Sequence, residues 1–124
     1  MNAVILNPAA GHGKARELWT RSRPGLERAL GPLRLYETRS QGHAGELCRS
    51  ALAEGARRIV AFGGDGTFRE AAEGLLSIPA ALRPGVSLGL FPAGSGCDMA
   101  RHLGYPPGAD AVGALLAGGK VRFL

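Results

Sequence analysis

Long apolar runs are missing from this 124-residue sequence, and no stretch approaches the roughly 18 residues needed to span a bilayer. The first residues, Met1-Asn-Ala-Val-Ile-Leu-Asn-Pro8, lack the basic segment and apolar stretch of a secretory signal. Any membrane contact is therefore expected to be peripheral. Cysteine is scarce too: Cys48 and Cys97 lie far apart and without metal-ligand spacing. A reduced, cytoplasmic setting fits this better than a disulfide framework. Lysine is nearly absent, with two against thirteen arginines, and aromatic residues make up only 6%. The net charge of +5 is scattered from Lys14 to Arg122 with no block of like charges and no aromatic interleaving. Nucleic-acid binding is accordingly not expected. There is no internal repeat and no low-complexity segment.

What remains is ordinary for one globular domain spanning 1–124, with 45% apolar and 20% charged residues. Glycine alone stands out, at 20 residues, roughly twice average usage. The glycines cluster at the ends of apolar runs and so mark turns. Strand-like runs are Ala3–Leu6, Leu33–Glu37, Arg58–Phe62, Ser87–Phe91 and Val121–Leu124. Helical patterns fall between them, from Gly13 or Lys14 to Leu30 with Pro24-Gly25 as an interruption, then Gly42–Glu54 and Thr67–Leu76. Ser77–Gly85 reads as a loop with two prolines; Asp98–Leu103 and Ala109–Ala117 read as shorter helices. Strands alternating with helices predict a three-layer α/β fold, a mainly parallel sheet with helices on both faces.

In such sheets ligands bind outside the carboxyl ends of the strands. Three glycine-bearing junctions occupy those positions, and Thr38 follows the second strand. The first junction is Asn7-Pro8-Ala9-Ala10-Gly11-His12-Gly13-Lys14, where bare backbone and a lysine could meet a phosphate. It is not a Walker A loop, and a plain β–α turn is the simpler reading. The second is Gly63-Gly64-Asp65-Gly66-Thr67-Phe68-Arg69-Glu70. Its three glycines are expected to permit positive φ and close approach of a ligand. Thr67 with Glu70 fits a capping box, and a helix N-terminus after a strand makes an anion site. A carboxylate there, Asp65, suits a metal ion or a substrate hydroxyl better than bare phosphate. The third is Pro92-Ala-Gly-Ser95-Gly-Cys97-Asp98-Met-Ala-Arg101, in which Ser95 offers a hydroxyl and Asp98 a helix cap. His43 and His102 have no acidic or cysteine partner at ligand spacing and read as surface or capping residues.

Together these segments resemble the catalytic domain of the diacylglycerol kinase and sphingosine kinase superfamily, particularly its bacterial lipid kinases. That family carries Asn-Pro-x-Ser-Gly, a threonine after the second strand, Gly-Gly-Asp-Gly-Thr-x-Asn-Glu, and Pro-x-Gly-Thr-x-Asn-Asp-Phe-Ala-Arg. Order and spacing agree across essentially all of the chain. The resemblance implies a fold like the N-terminal domain of NAD kinase and phosphofructokinase. It implies ATP-dependent phosphoryl transfer to a lipid alcohol, diacylglycerol-like or sphingoid, reached peripherally at the inner membrane face. Nucleotide would be held by Asn7, Pro8, Ala9, Ala10, Gly11, Thr38, Gly63, Gly64, Asp65, Gly66, Thr67, Phe68, Arg69, Glu70 and Ser95. Asp65 would handle Mg²⁺ or the acceptor hydroxyl, as the catalytic group within this stretch.

Three positions depart from the family pattern. Ala10 stands in place of serine, and Arg69 and Cys97 in place of asparagine. They leave room for a nucleotide-binding module without turnover, and an NAD kinase-like enzyme is a further alternative. The Pro-x-Gly-Ser loop argues against the latter. Family members continue into a second, mostly β domain that carries the general base. That domain is expected after residue 124, with this chain as the nucleotide-binding half, weak or inactive alone. The face it would cover could promote a homodimer.

Overall fold

The computed structural model describes residues 1–83 and 85–93. Four strands, β1 (Asn2–Leu6), β2 (Leu33–Glu37), β3 (Arg58–Gly63) and β4 (Ser87–Pro92), form one sheet in the order β2-β1-β3-β4. All neighbours run parallel, with Val4 opposite both Leu35 and Val60, and Val60 opposite Gly89. Three helices connect them: α1 (Lys14–Leu30), α2 (His43–Ala53) and α3 (Asp65–Leu76). A 3₁₀ turn at Ala80–Leu82 lies in the loop that precedes β4. The expected segments 98–103, 109–117 and 121–124 lie outside the described residues.

After their first residues, Asn2 and Arg58, the central strands are apolar because both sheet faces are covered. Val4, Leu6, Val60, Phe62 and Phe91 face α1, where Ala15, Trp19, Leu26 and Leu30 meet them. Ala3, Ile5, Ile59, Ala61, Leu88 and Leu90 face α2 and α3. The chain steps from β1 to β2 with α1 on one face. It then steps back across the sheet with α2 and α3 on the other. Right-handed crossovers produce this arrangement.

The two faces are packed differently. Under α1 the filling is aromatic: Trp19 meets Phe62 edge-on at 5.5 Å, and Phe62 stacks on Phe91 at 4.4 Å. Between α2 and α3 it is small. A Cβ on Gly74 would lie 2.6 Å from the Cα of Gly45, and one on Gly45 would lie 3.1 Å from the Glu70 carbonyl oxygen. The two helix backbones therefore touch. Cys48 is fully buried on this side, and burial pushes its thiol pKa up to about 12, so it behaves as a small core residue.

Pro24 does not interrupt α1, contrary to expectation; the helix runs unbroken through it. Proline removes the bond to the carbonyl four residues earlier, here Thr20. Both Pro24 and Thr20 are exposed, so water can satisfy that carbonyl. The buried stripe through Trp19, Ser22 and Leu26 holds the helix across the gap, and Arg23 pairs with Glu27 at 3.3 Å while lying over Trp19.

Candidate functional site

The carboxyl ends of β1, β2 and β3 share one edge of the sheet. The order β2-β1-β3 makes the gap between β1 and β3 the point where the chain reverses direction across the sheet. Hydrogen bonds carry the ladder just beyond the strands. The Asn7 N–H donates to the Phe62 carbonyl at 3.0 Å, Thr38 to Leu6 at 2.9 Å, and Ala93 to Gly63 at 2.8 Å. The loops thus leave the sheet from a fixed rim.

Asn7 organises that rim. Its Oδ1 accepts the Ala9 N–H at 3.1 Å, shaping the turn after β1, and lies 3.5 Å from the Thr38 hydroxyl that donates to it. Its Nδ2 donates to Thr67 Oγ1 at 3.2 Å. One side chain therefore links the ends of β1 and β2 to the start of α3. Above it opens a cleft of about 460 Å³. Asn7, Pro8 and Ala9 form one part of its wall, Thr38 to Gln41 a second, and Gly66, Thr67 and Glu70 a third. A cleft of this size suits a small ligand.

Two local expectations are corrected at α3. The helix begins at Asp65 with Gly64 as its N-cap, so Thr67 lies inside the first turn and makes no cap. Its hydroxyl, buried with the side chain, is occupied by Asn7 instead. Glu70 reaches away from its own helix, and its Oε1 accepts the Gly42 N–H at 3.1 Å in front of α2. The capping box is thus replaced by two tertiary bonds. The glycines also serve another purpose than expected: Gly63, Gly64 and Gly66 are all absent from the positive-φ residues. Gly63 answers to space, because a Cβ there would lie 2.7 Å from Thr67 Oγ1 and 3.0 Å from Thr67 Cβ. The first helical bond is donated by Phe68 to the Gly64 carbonyl at 3.1 Å. The N–H groups of Asp65, Gly66 and Thr67 stand ahead of it, at the positive end of the helix dipole.

The other candidates are placed as follows. Gly11 (φ +61°) packs under the rim, where a Cβ would meet the Ala93 carbonyl oxygen at 2.7 Å. Ala10 packs against the α1-side core, which suits a methyl group better than the family's serine. Phe68, expected in the nucleotide site, gives its ring to the core with Ala71, Ala72 and Leu75, at helical spacing. Arg69 is exposed and pairs with Glu73 at 3.9 Å, off the cleft wall. Asp65 is half-buried at the start of α3. No cluster of three metal-ligating side chains occurs among the described residues. Ser95, Cys97, Asp98, Arg101 and His102 lie outside the described residues.

Sequence reading missed Arg39, Ser40 and Gln41, which wall the cleft after β2. Their only signal was position, between a strand end and the glycine that starts the next helix. His43 is half-buried at the start of α2, and its Nδ1 accepts the Arg39 N–H at 2.9 Å.

Known proteins of one family share this fold. The family model described as diacylglycerol kinase catalytic domain matches residues 2–123. A diacylglycerol kinase of Staphylococcus haemolyticus is 35% identical over 116 residues, 90% of this chain and 32% of that protein. A protein of Pseudomonas fluorescens named "Probable lipid kinase YegS-like" is 40% identical over 97 residues, 77% of this chain and 31% of its own length. A diacylglycerol kinase crystal structure from Bacillus anthracis matches with a TM-score of 0.77 at 32% identity, covering 94% of this chain and 39% of that one. The chain spans about a fifth to a third of the length of the curated relatives it matches.

Proposed function

The chain belongs to the diacylglycerol kinase catalytic-domain family, and from that premise we propose that it forms the nucleotide-binding part of a lipid kinase. The reaction passes the terminal phosphoryl group of ATP to the hydroxyl of a diacylglycerol-like or sphingoid alcohol. The observation that carries this reading is the rim. Asn7, Thr38 and Thr67, from three separate segments, are hydrogen-bonded into one wall of a cleft at the point where the strand order reverses.

Phosphoryl transfer asks the protein mainly for positioning and charge neutralisation. The leading N–H groups of α3 suit an anion, and the rim fixes where they stand. Asp65, one half-buried carboxylate, would help hold a magnesium ion that arrives with the nucleotide. That ion supplies neutralisation of phosphate charge. Pro8, Ala9 and the 38–41 segment offer the nucleotide a mixed wall of apolar and polar groups. The lipid acceptor and the base that takes its proton belong to residues outside those described. No helix among the described residues is long and apolar enough to cross a membrane, in keeping with a peripheral encounter with lipid.

Calorimetric titration of MgATP into the chain and into Asp65→Ala tests the nucleotide site. The expected outcome is saturable binding that weakens about tenfold or more in the variant, the scale of a lost charge-assisted contact. A phosphorylation assay of the whole protein on diacylglycerol, sphingosine and NAD tests the acceptor. A folded protein that binds no nucleotide, or that phosphorylates NAD and neither lipid, overturns the reading.

A further inference from the structure

The segment between β2 and α2 has little to hold it in place. Arg39, Ser40 and Gln41 are exposed, and none contributes to either core cluster. Yet this segment is a wall of the cleft, so its shape decides what the cleft accepts. At one end it is fixed by Thr38, whose N–H donates to Leu6 and whose hydroxyl donates to Asn7. At the other it is fixed by the Gly42 N–H on Glu70. Between those anchors lies one reciprocal pair. The Arg39 N–H donates to His43 Nδ1 at 2.9 Å, and the His43 N–H donates back to the Ser40 carbonyl at 3.2 Å. The main-chain N–H groups of Ser40 and Gln41 have no acceptor among the described residues.

We propose that His43, which lines no part of the cleft, is a positioning residue: its Nδ1 closes the 39–42 segment into the shape that presents the cleft wall to nucleotide. Accepting at Nδ1 requires an imidazole whose proton is on Nε2, since a proton on Nδ1 would leave two donors facing each other. With the Arg39 N–H so engaged, the neighbouring Ser40 and Gln41 groups are the wall's unused donors. Without it, three successive donors would have no fixed orientation. The inference deepens the nucleotide reading of the cleft and rests on it for its effect on affinity.

Three variants separate this role from general support of the fold. His43→Asn keeps an acceptor one bond beyond Cγ, in the place of Nδ1. His43→Gln carries its acceptor one bond farther out, and His43→Ala has none. Each is first checked for an unchanged melting temperature. Amide hydrogen exchange at Arg39 and MgATP affinity by calorimetry are then measured on each variant and the parent. Exchange at Arg39 is expected to speed up, and affinity to fall, by about three- to tenfold in the alanine and glutamine variants, the worth of one hydrogen bond. The asparagine variant should stay within about twofold of the parent on both measures. Equal exchange in all four proteins overturns the proposal, as does an asparagine variant no better than alanine. Faster exchange with unchanged affinity also overturns it. A parent that binds no nucleotide overturns the reading of the cleft, and the exchange pattern at Arg39 then decides the role of His43 by itself.

Discussion

The loop after β1 and the loop after β3 are both rich in glycine, both end at a helix, and use their glycines for different ends. In the first, the backbone itself is unusual: Gly11, His12 and Gly13 stand at φ +61°, +57° and +88°. His12 takes a conformation that residues with a Cβ seldom adopt. In the second, no positive φ occurs at Gly63, Gly64 or Gly66. There the missing side chain makes room, because Thr67 folds back over Gly63 to meet Asn7. The first loop is bent by its dihedral angles and the second is packed by its neighbours. Composition alone does not distinguish the two cases.

Alanine substitutions sharpen this contrast, and urea unfolding of each variant measures it. Gly11→Ala meets both objections at once, a left-handed φ and a contact of 2.7 Å with a main-chain oxygen. It should cost about 3 kcal/mol, the sum of backbone strain and overpacking. Gly63→Ala meets only the contact, with Thr67 at 2.7 and 3.0 Å. It should cost about 2 kcal/mol and also weaken nucleotide binding, since relief requires Thr67 to leave Asn7. Gly13→Ala meets only the dihedral objection, with nothing within 4 Å of the added carbon, and should cost about 1 kcal/mol. Gly66→Ala meets neither objection. It should change stability by less than about 0.5 kcal/mol, while testing whether a methyl group on the cleft wall hinders nucleotide. A Gly63→Ala variant as stable as Gly66→Ala would break the comparison.

A smaller effect, away from both loops, serves as a control. The Cys48 thiol ionises near 9 when unfolded and near 12 in the fold. Its contribution is therefore complete below about pH 9 and is lost as pH rises toward 12. Tyr36, half-buried and donating to Glu54, is raised from 10 to about 12 by burial first and that carboxylate second, and acts in the same direction. Unfolding followed between pH 8 and about 11 should show a decline that is shallower in Cys48→Ala, whatever that variant costs at neutral pH.

The strands were legible because a sheet covered on both faces leaves only apolar residues in β1, β3 and β4 after their first positions, Asn2, Arg58 and Ser87. Helix α2 was legible from Gly42 and Gly55, which bracket it at φ +86° and +107°. Helix α1 was misread because proline is a local signal, whereas the Trp19–Leu26 stripe that overrides it is a tertiary one. The same holds for Thr67 and Glu70. Their spacing is that of a local cap, but Asn7 and Gly42, distant in sequence, compete for both side chains and win. Most of the cleft wall was legible through the family resemblance. Arg39 to Gln41 were not, because an exposed polar turn carries no periodicity that sets it apart.

The contact between Gly45 and Gly74 has a mechanical consequence. Two helices whose backbones touch, and which are pinned again by Glu70 to Gly42, have no side-chain cushion to slide on. The heads of α2 and α3 are therefore held at a fixed spacing. A ligand in the cleft cannot be gripped by bringing the heads of these two helices together. The shared backbone contact makes the pair an anvil, a fixed surface beside the cleft.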